Sequence, residues 1–227
     1  MISEQKLKYH REYFKQYYGS EFKYGQGTEV ILDVLNRYGR GGKWLDLSGG
    51  TNTFFWSIAL NNISDVTVMD IDEEAGIVLN EIREQRFANG CYEFALRKYK
   101  KEPEDIYSIP ISFVKADILS DNIEKYTLQK FDIITQFGLW GLLKDENVYL
   151  QKIKDAEKRL KHDGILISAN WTFEGELIKK RGYDNGYLQK SLIEEFCERE
   201  GFDLLFLDEI KIQNDSEYSK VLIYVLR

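Results

Sequence analysis

The stretch Trp44-Leu45-Asp46-Leu47-Ser48-Gly49-Gly50-Thr51-Asn52 decides the fold of this chain. It begins as a short apolar run, which predicts a buried strand, and it ends in a turn of small residues. The apolar segment 54–60 follows directly and indicates a buried helix. A strand, a glycine turn and a helix in this order let the polar backbone of a ligand approach the protein backbone closely. Gly49 and Gly50 carry no side chain that would block such an approach.

A second apolar run, Val66-Thr67-Val68-Met69, ends in Asp70, which lies 70 − 46 = 24 residues after Asp46. An acid at the end of the second strand, about 20 residues beyond a glycine turn, is typical of sites that bind ribose hydroxyls. The dinucleotide pattern G-x-G-x-x-G is absent, because residues 48–53 read S-G-G-T-N-T. The sequence therefore predicts a nucleoside site whose ligand need not carry a pyrophosphate, and it disfavours an NAD-dependent oxidoreductase.

Strand and helix patterns alternate along the rest of the chain, and two apolar runs close it. Further strands are expected at 111–114, 131–135, 165–168, 203–212 and 219–226. Helices are expected at 3–18, 29–38, 72–86, 145–161 and 187–200, with an inserted helix inside the long connection 87–109. This alternation predicts an α/β fold with a Rossmann-like, seven-stranded, mostly parallel sheet, an antiparallel C-terminal strand pair and helices on both faces. We expect one globular domain overall, with an N-terminal helical lid at 1–42 and the α/β domain proper at 43–227.

Composition excludes several classes of function. The chain has 227 residues and a formal net charge of −7, and its Lys and Arg residues are not clustered, which argues against nucleic acid as the main partner. Cys91 and Cys197 lie far apart, and His10 and His162 are the only histidines. We therefore expect no metal site and no Ser-His-Asp triad. The chain lacks the apolar core of a signal peptide and any run long enough for a membrane span, so a cytoplasmic protein without a membrane partner is expected.

The run Tyr13-Phe14-Lys15-Gln16-Tyr17-Tyr18 is unusually aromatic for a helix. One interpretation is a helix that packs its aromatic side chains on the core. The other is a lid whose tyrosine hydroxyls meet a bound ligand. The sequence alone leaves both open.

Together these residues resemble the class I S-adenosylmethionine-dependent methyltransferases, chiefly over residues 43–170. The first family motif, D-x-G-x-G-x-x, corresponds to residues 46–52, where Ser48 stands at a position that is usually glycine. The acid that follows the second strand corresponds to Asp70. The remaining motifs correspond to Asp117-Ile118 after the third strand, to Phe131–Ile134 as F-D-x-I, and to 160–164 as L-K-P-G-G without its proline.

The resemblance implies S-adenosyl-L-methionine as cofactor and S-adenosyl-L-homocysteine as product. It implies that the backbone at Ser48-Gly49-Gly50 receives the methionine part, that Asp70 binds the ribose and that Asp117 and the Ile118 amide bind the adenine. For Asp46 it leaves open whether the carboxylate holds the turn or the ammonium group, and Asp70 and Asp117 could instead be ordinary strand-end or capping residues. The implied cofactor site is completed by Asn52, Ile71 and Gln136.

A narrower resemblance links the aromatic run to the N-terminal tyrosine motif of the nicotinamide and phenylethanolamine N-methyltransferases. In those enzymes the tyrosines help to close over the cofactor, and this role carries over to Tyr13 and Tyr18. The D-x-G-S-G-P-T turn typical of that group is altered here.

An acceptor site is expected where the fourth and fifth strands end. Phe137, Trp140, Asn170 and Trp171 lie at the predicted strand ends, and aromatic faces there could hold an amine through cation–π contact. The alternative is that these aromatic residues belong to the core. No general base is identifiable, so we assign no catalytic residue, and His162 is interpreted as a surface turn residue.

The leading hypothesis is methyl transfer to a small-molecule acceptor, at nitrogen or oxygen, by direct displacement. A peptide or protein acceptor is the first alternative, because the insertion at 87–109 could shape a broader groove. A non-catalytic nucleoside-binding module with a methyltransferase fold is the second. The identity of the acceptor is not readable from the sequence, nor is a choice between a monomer and a homodimer.

Overall fold

The structure is a computed structural model, and it describes residues 2–227. Its sheet has seven strands in the order β3-β2-β1-β4-β5-β7-β6. The strands are β1 Arg40–Leu47, β2 Asn61–Asp70, β3 Ile111–Lys115, β4 Phe131–Phe137, β5 Leu160–Phe173, β6 Leu204–Lys211 and β7 Tyr218–Leu226.

The described residues also form nine α-helices, which account for the helical periodicities in the sequence. They are α1 Glu4–Tyr17, α2 Thr28–Tyr38, α3 Thr53–Ser57, α4 Glu73–Gln85, α5 Cys91–Tyr99, α6 Pro103–Tyr107, α7 Glu146–Glu157, α8 Gly175–Arg181 and α9 Lys190–Glu200. Short 3₁₀ turns occur at Ile123–Lys125 and Trp140–Leu142.

The strand directions confirm the predicted fold class. β1 pairs parallel with β2, and β2 pairs parallel with β3. β4 pairs parallel with β5, whereas β7 runs antiparallel to both β5 and β6. The last two strands are antiparallel because a short link, 212–217, joins them, and a parallel crossover needs a much longer connection.

The chain forms two compact units, and each has its own core. The first comprises the described part of Met1–Lys23 together with Leu32–Ile118. Its core is rich in aromatic side chains: the ring centroids of Phe14 and Phe87 are 5.0 Å apart, and those of Phe55 and Tyr92 are 5.5 Å apart. Phe14 is thus a core residue, which is one of the two interpretations of the aromatic run.

The second unit comprises Tyr24–Ile31 and Leu119–Arg227. Its core comprises β4, β5 and β7, in which consecutive residues are buried, together with buried apolar side chains of α7 and α9 such as Ile153 and Phe196. The division into units does not follow the predicted boundary at residue 42, because α1 belongs to the same unit as β1, β2 and β3. A separate lid at 1–42 stays a prediction, and residue 1 lies outside the described residues.

Four elements differ from the sequence-based expectation. The helix expected over 54–60 ends at Ser57, and Lys101 Nζ donates to the carbonyl of Leu60 just beyond that end. The insertion holds two helices, α5 and α6, and α8 was not predicted. β5 runs from Leu160 to Phe173, so the expected turn at 162–164 lies within the assigned strand, at an irregularity of its pairing with β4.

Within residues 2–227, none of the helices has both the length and the apolar character that a membrane crossing requires.

Candidate functional site

The glycine turn after β1 is a tight structure with little room for side chains. Ser48 has φ +59°, a left-handed conformation that most residues with a Cβ avoid, and its N–H donates to the Met69 carbonyl over 2.6 Å. Gly50 is also left-handed, with φ +52°. Ser48 therefore adopts a backbone conformation that favours glycine, and the turn is kept. The hydrogen bond to Met69 of β2 offsets part of the conformational strain.

Asp46 fixes this turn from inside the protein. Its side chain is 1% exposed, and its Oδ2 accepts a hydrogen bond of 2.6 Å from the Thr53 hydroxyl at the start of α3. A Cβ added to Gly49 would lie 2.3 Å from both Asp46 Oδ2 and Thr53 Oγ1. Only glycine fits at position 49, because the Asp46–Thr53 pair occupies the space that a side chain would need.

Asp70, the last residue of β2, faces the glycine turn. A Cβ added to Gly50 would lie 3.5 Å from Asp70 Oδ2. Burial raises the pKa of Asp70 above its ordinary value, although the N–H groups of Asp72 and Gly50 oppose this by hydrogen bonding to the carboxylate. The half-buried carboxylate of Asp70 therefore lies beside a turn of bare backbone, and its binding of a ribose stays a prediction.

The other residues expected at the adenine side lie at the same sheet edge. Asp70 pairs with Lys115 in the β2–β3 register, and the Ala116 N–H donates to the Asp70 carbonyl over 2.8 Å. Asp117 therefore follows directly beyond the edge where Asp70 lies, and Ile118 beside it is buried. Ile71, the residue after Asp70, is 55% exposed.

Tyr18 packs against the aromatic side chains of α3, and Tyr13 lies next to it. The Tyr18 ring contacts Phe55 edge-on, with 5.0 Å between centroids. Burial raises the pKa of Tyr18 well above its ordinary value, and the nearby Tyr13 and Asp46 add to the effect. The Tyr18 hydroxyl is therefore held in its protonated form. The Tyr13 ring is 6.4 Å from that of Tyr18.

Asn52 stands at the N-cap of α3, and its Oδ1 accepts from the Thr51 hydroxyl over 3.0 Å.

In the second unit, two residues that were predicted to contact a ligand form hydrogen bonds within a buried polar network instead. Gln136 and Asn170 are both fully buried, and Gln136 Nε2 donates to Asn170 Oδ1 over 3.1 Å. Asn170 Nδ2 donates to the Tyr149 hydroxyl over 3.1 Å, and the Tyr149 and Tyr224 hydroxyls are 2.9 Å apart. Ser168 completes this network by accepting from both Gln136 and Asn170. These bonds favour a structural role for Gln136 and Asn170 over direct contact with a ligand.

The aromatic residues expected near an acceptor divide into two groups. Trp140 is fully buried and packs edge-on against Tyr149, so it belongs to the core. Phe137 and Trp171 are half-buried. Trp171 donates through its indole N–H to the Gln26 carbonyl over 3.3 Å, and its ring would lie 3.6 Å from a Cβ added to Gly138.

The predicted position of Asn170 and Trp171 at a strand end is corrected by the structure, because both lie inside β5. They pair with Leu222 and Val221 of β7, a partner that the local sequence does not reveal. They nevertheless lie beyond the end of β4, since the β4–β5 pairing stops at Phe137 and Ala169.

Sequence reasoning missed the residues that fix the loop after β4. Asn185 is fully buried and donates to the carbonyls of Gly141 and Trp171 over 2.8 and 2.9 Å. Tyr183 and Tyr187 donate their hydroxyls to the carbonyls of Leu142 and Leu143 over 2.6 and 2.8 Å. Their local signal is the turn-forming Asp184-Asn185-Gly186 between two tyrosines, a pattern that predicts a turn but not its partners.

Comparison with known proteins gives a fold and no family. No protein-family model matches the chain. No curated protein matches it either. Solved structures do match, at low sequence identity.

The N-methyltransferase NodS from Bradyrhizobium japonicum WM9, crystallised with S-adenosyl-L-homocysteine, is 16% identical with a TM-score of 0.57, over 88% of this chain and 84% of that chain. A S-adenosylmethionine-dependent methyltransferase from Clostridium acetobutylicum ATCC 824 is 14% identical with a TM-score of 0.57, over 97% of each chain. DhpI in complex with S-adenosyl-L-homocysteine is 14% identical with a TM-score of 0.57, over 99% of this chain and 95% of that chain. The chain therefore has the Rossmann-like fold of these methyltransferases, as predicted.

Proposed function

We propose that this protein binds S-adenosyl-L-methionine and transfers its methyl group to a small-molecule acceptor, at nitrogen or oxygen. One observation carries the proposal: in a methyltransferase-like fold, the half-buried carboxylate of Asp70 faces the side-chain-free backbone of Gly50 at the end of β1. Open α/β sheets bind their ligands at the carboxyl ends of the strands. Asp70 and the glycine turn both lie there.

The residues in the first unit fit the chemistry of the cofactor. Near Gly50, an added Cβ would meet only Asp70 Oδ2 at 3.5 Å and the Ser48 carbonyl at 3.9 Å, so the backbone there is open to a ligand. We assign the ribose hydroxyls to Asp70, because an ionised carboxylate accepts two hydrogen bonds at once. The exposed Ile71 would cover one face of the adenine, and Asp117 would accept from its amino group.

The remaining cofactor residues are assigned to the methionine end. The backbone of Ser48, Gly49 and Gly50 would receive the methionine moiety. Asp46 is tied to Thr53, so we assign it to holding the turn. Tyr18, whose raised pKa keeps the hydroxyl protonated, would donate a hydrogen bond at this end, and Tyr13 would cover it from outside.

Methyl transfer from a bound sulfonium places modest demands on the protein. When bound, the cofactor supplies a methyl group that is already activated for displacement. The protein then has to align the acceptor and exclude water, which accounts for much of the rate in such reactions. Phe137 and Trp171 are the half-buried aromatic residues that we assign to the acceptor, and their ring faces suit a neutral or cationic molecule.

No histidine is placed to act as a general base for the acceptor. His10 contacts Asp72 at 3.2 Å, and the His162 side chain is 97% exposed beside Asp163. His162 also lies near the start of β5, whereas Phe137 lies at the end of its parallel neighbour β4. We infer that the acceptor loses its proton to water, as an amine can, so a catalytic residue is not assigned.

Calorimetric titration with S-adenosyl-L-methionine, S-adenosyl-L-homocysteine and NAD tests the proposal. We expect saturable binding of the first two ligands only, with a marked loss of affinity in Asp70→Ala. Asp163→Ala is the matched control, because this carboxylate is 88% exposed on its side chain and lies in the other unit. Absence of binding by the wild type would overturn the proposal.

A screen of acceptors with radiolabelled methyl donor then distinguishes the alternatives. Methylation of small amines or hydroxyl compounds supports the proposal as stated. Methylation of a peptide or protein alone would replace the acceptor class. Cofactor binding without any product would favour a non-catalytic nucleoside-binding module.

A further inference from the structure

Two side chains of α1 hold a carboxylate that lies next to the proposed ribose site. Lys6 Nζ forms a salt bridge with Asp72 Oδ1, and His10 Nε2 lies 3.2 Å from Asp72 Oδ2. A carboxylate can only accept, so Nε2 of His10 carries the hydrogen in this contact. His10 is 9% exposed, and the Asp72 side chain is 20% exposed, so the contact is largely shielded from water.

Asp72 in turn orients Asp70. Its backbone N–H donates to Asp70 Oδ1 over 3.0 Å. Asp72 is also the N-cap residue of α4, and its side chain makes no capping hydrogen bond within that helix. The Asp72 side chain is therefore directed to Lys6 and His10 of α1, while its backbone holds the carboxylate that we assign to the ribose.

The basic side chains of α1 also affect the charge of Asp70. Asp70 and Asp72 are two carboxylates two residues apart, and their repulsion opposes the ionised form of Asp70. The Lys6 ammonium offsets the negative charge of Asp72, and Lys6 and His10 are the basic groups of α1 that contact this carboxylate. The ionised form of Asp70 offers two acceptor oxygens to the ribose hydroxyls, whereas protonation turns one of these oxygens into a donor.

We propose that Lys6 and His10 are positioning residues for cofactor binding: they hold Asp72, and through its backbone they keep Asp70 oriented and charged for the ribose. This inference rests on the proposed function. The packing of α1 would thus affect the affinity for the cofactor through the contacts of Lys6 and His10 with Asp72 and of the Asp72 N–H with Asp70. Neither Lys6 nor His10 would itself contact the ligand.

The same helix offers a matched control. Arg11 lies one residue after His10 and forms two hydrogen bonds with Glu81 of α4, of 2.9 and 2.6 Å. This pair also anchors α1 on α4, but it contacts neither Asp72 nor Asp70. If α1 acts only by general packing, loss of Arg11 should have the same effect as loss of Lys6. If it acts through Asp72, the two losses should differ.

The experiment measures S-adenosyl-L-homocysteine affinity by calorimetry for the wild type, Lys6→Met, His10→Phe, His10→Gln and Arg11→Met, with thermal unfolding of each. We expect Lys6→Met and His10→Phe to weaken binding about fivefold each, close to the loss of one hydrogen bond. His10→Gln, which retains a donor, should recover most of this loss. Arg11→Met should bind as the wild type does, even if its Tm falls.

A pH profile separates positioning from a purely structural effect. Binding should weaken as the pH falls and Asp70 becomes protonated. In Lys6→Met this weakening should begin at a higher pH, because the Asp72 charge is no longer offset. The other groups that act on Asp70 are His10 from α1, the carboxylate and N–H of Asp72 at the N-cap of α4, and the Gly50 N–H from the turn, and Lys6→Met leaves all of them in place.

The outcomes separate this inference from the proposed function. If the wild type does not bind S-adenosyl-L-homocysteine, the proposed function fails and this inference fails with it. If the wild type binds, and Lys6→Met and His10→Phe match Arg11→Met in affinity and pH profile, only the positioning role is overturned.

Discussion

The Thr53 hydroxyl donates to Asp46 Oδ2 over 2.6 Å, across the space where a side chain on Gly49 would lie. This pair joins the end of β1 to the start of α3 and leaves the turn between them as bare backbone. We therefore expect Gly49→Ala to break the pair and lower the free energy of unfolding by about 2–3 kcal/mol, the cost of overpacking a tight site. Urea denaturation measures this loss.

Gly182→Ala is the control for that substitution. Gly182 has φ +74° and nothing within 4 Å of an added Cβ, so it reports the cost of the left-handed backbone alone, about 1 kcal/mol. Gly49 does not have a positive φ, so its cost would come from the overlap. Equal losses in the two variants would contradict the packing argument.

Asp70 should make stability depend on pH in a definite direction. Because burial raises its pKa in the folded state, the folded protein holds this proton more tightly than the unfolded chain. The contribution of Asp70 to stability is therefore fully present below the ordinary pKa of aspartate, and it is lost as the pH rises through the raised value. We expect the difference in unfolding free energy between wild type and Asp70→Asn to change over this window, in favour of the variant at higher pH.

Chemical denaturation at a series of pH values measures that difference. Asp163→Asn, on an exposed side chain, serves as the control and should show no such trend. A wild type that gains stability relative to Asp70→Asn as the pH rises through the same window would contradict the assigned direction.

Asn170 provides a test of whether a predicted acceptor residue is structural. Its side chain bonds Gln136, Ser168 and Tyr149, and all four side chains are fully buried. Asn170→Ala should lower the free energy of unfolding by about 2–3 kcal/mol, since it leaves buried polar groups with fewer partners. Cofactor affinity at low temperature should be unchanged. Full stability combined with lost turnover would instead place Asn170 at the acceptor.

The sequence indicates those parts of the fold and of the candidate site that depend on short stretches of chain. Apolar runs located the strands, and the acids near their carboxyl ends, Asp70 and Asp117, follow from where those runs end. The turn at 48–50 was readable for the same reason, because a strand, small residues and an apolar helix are adjacent in the chain.

Features that depend on distant pairing could not be predicted in this way. The length of β5 is set by its pairing with β7, so the sequence around Asn170 gave no sign that this residue is inside a strand. Lys6 and Asp72 are separated by 66 residues, and neither has an unusual local context. The helix α8 has seven residues, with one buried side chain, Leu177, and so too short an apolar stripe to recognise.

Asn185 is expected to control the order of the loop after β4. It satisfies three backbone groups: the Phe173 N–H, the Gly141 carbonyl and the Trp171 carbonyl. Asn185→Ala should therefore speed amide hydrogen exchange at Phe173 and in the loop 138–143 and cost about 2–3 kcal/mol, because three backbone groups lose a hydrogen bond. Tyr187→Phe, which removes one hydroxyl bond to Leu143, is the milder control. Unchanged exchange in Asn185→Ala would show that the loop is held by other contacts.

The two cysteines should be unreactive in the folded protein. Burial raises the pKa of Cys197 to about 11 and also raises that of Cys91, whose thiol donates to the Tyr17 and Ser20 carbonyls over 3.4 and 3.3 Å. The thiolate is the reactive form, so a thiol reagent at pH 8 should modify neither cysteine until denaturant is added. The raised pKa of Cys197 also makes the free energy of unfolding depend on pH. Its contribution to stability is complete below pH 9.0 and is lost as the pH rises toward 11, because the folded protein holds the thiol proton more tightly than the unfolded chain. Single Cys→Ser variants assign each reaction, and rapid labelling of either thiol in the native state would contradict its burial.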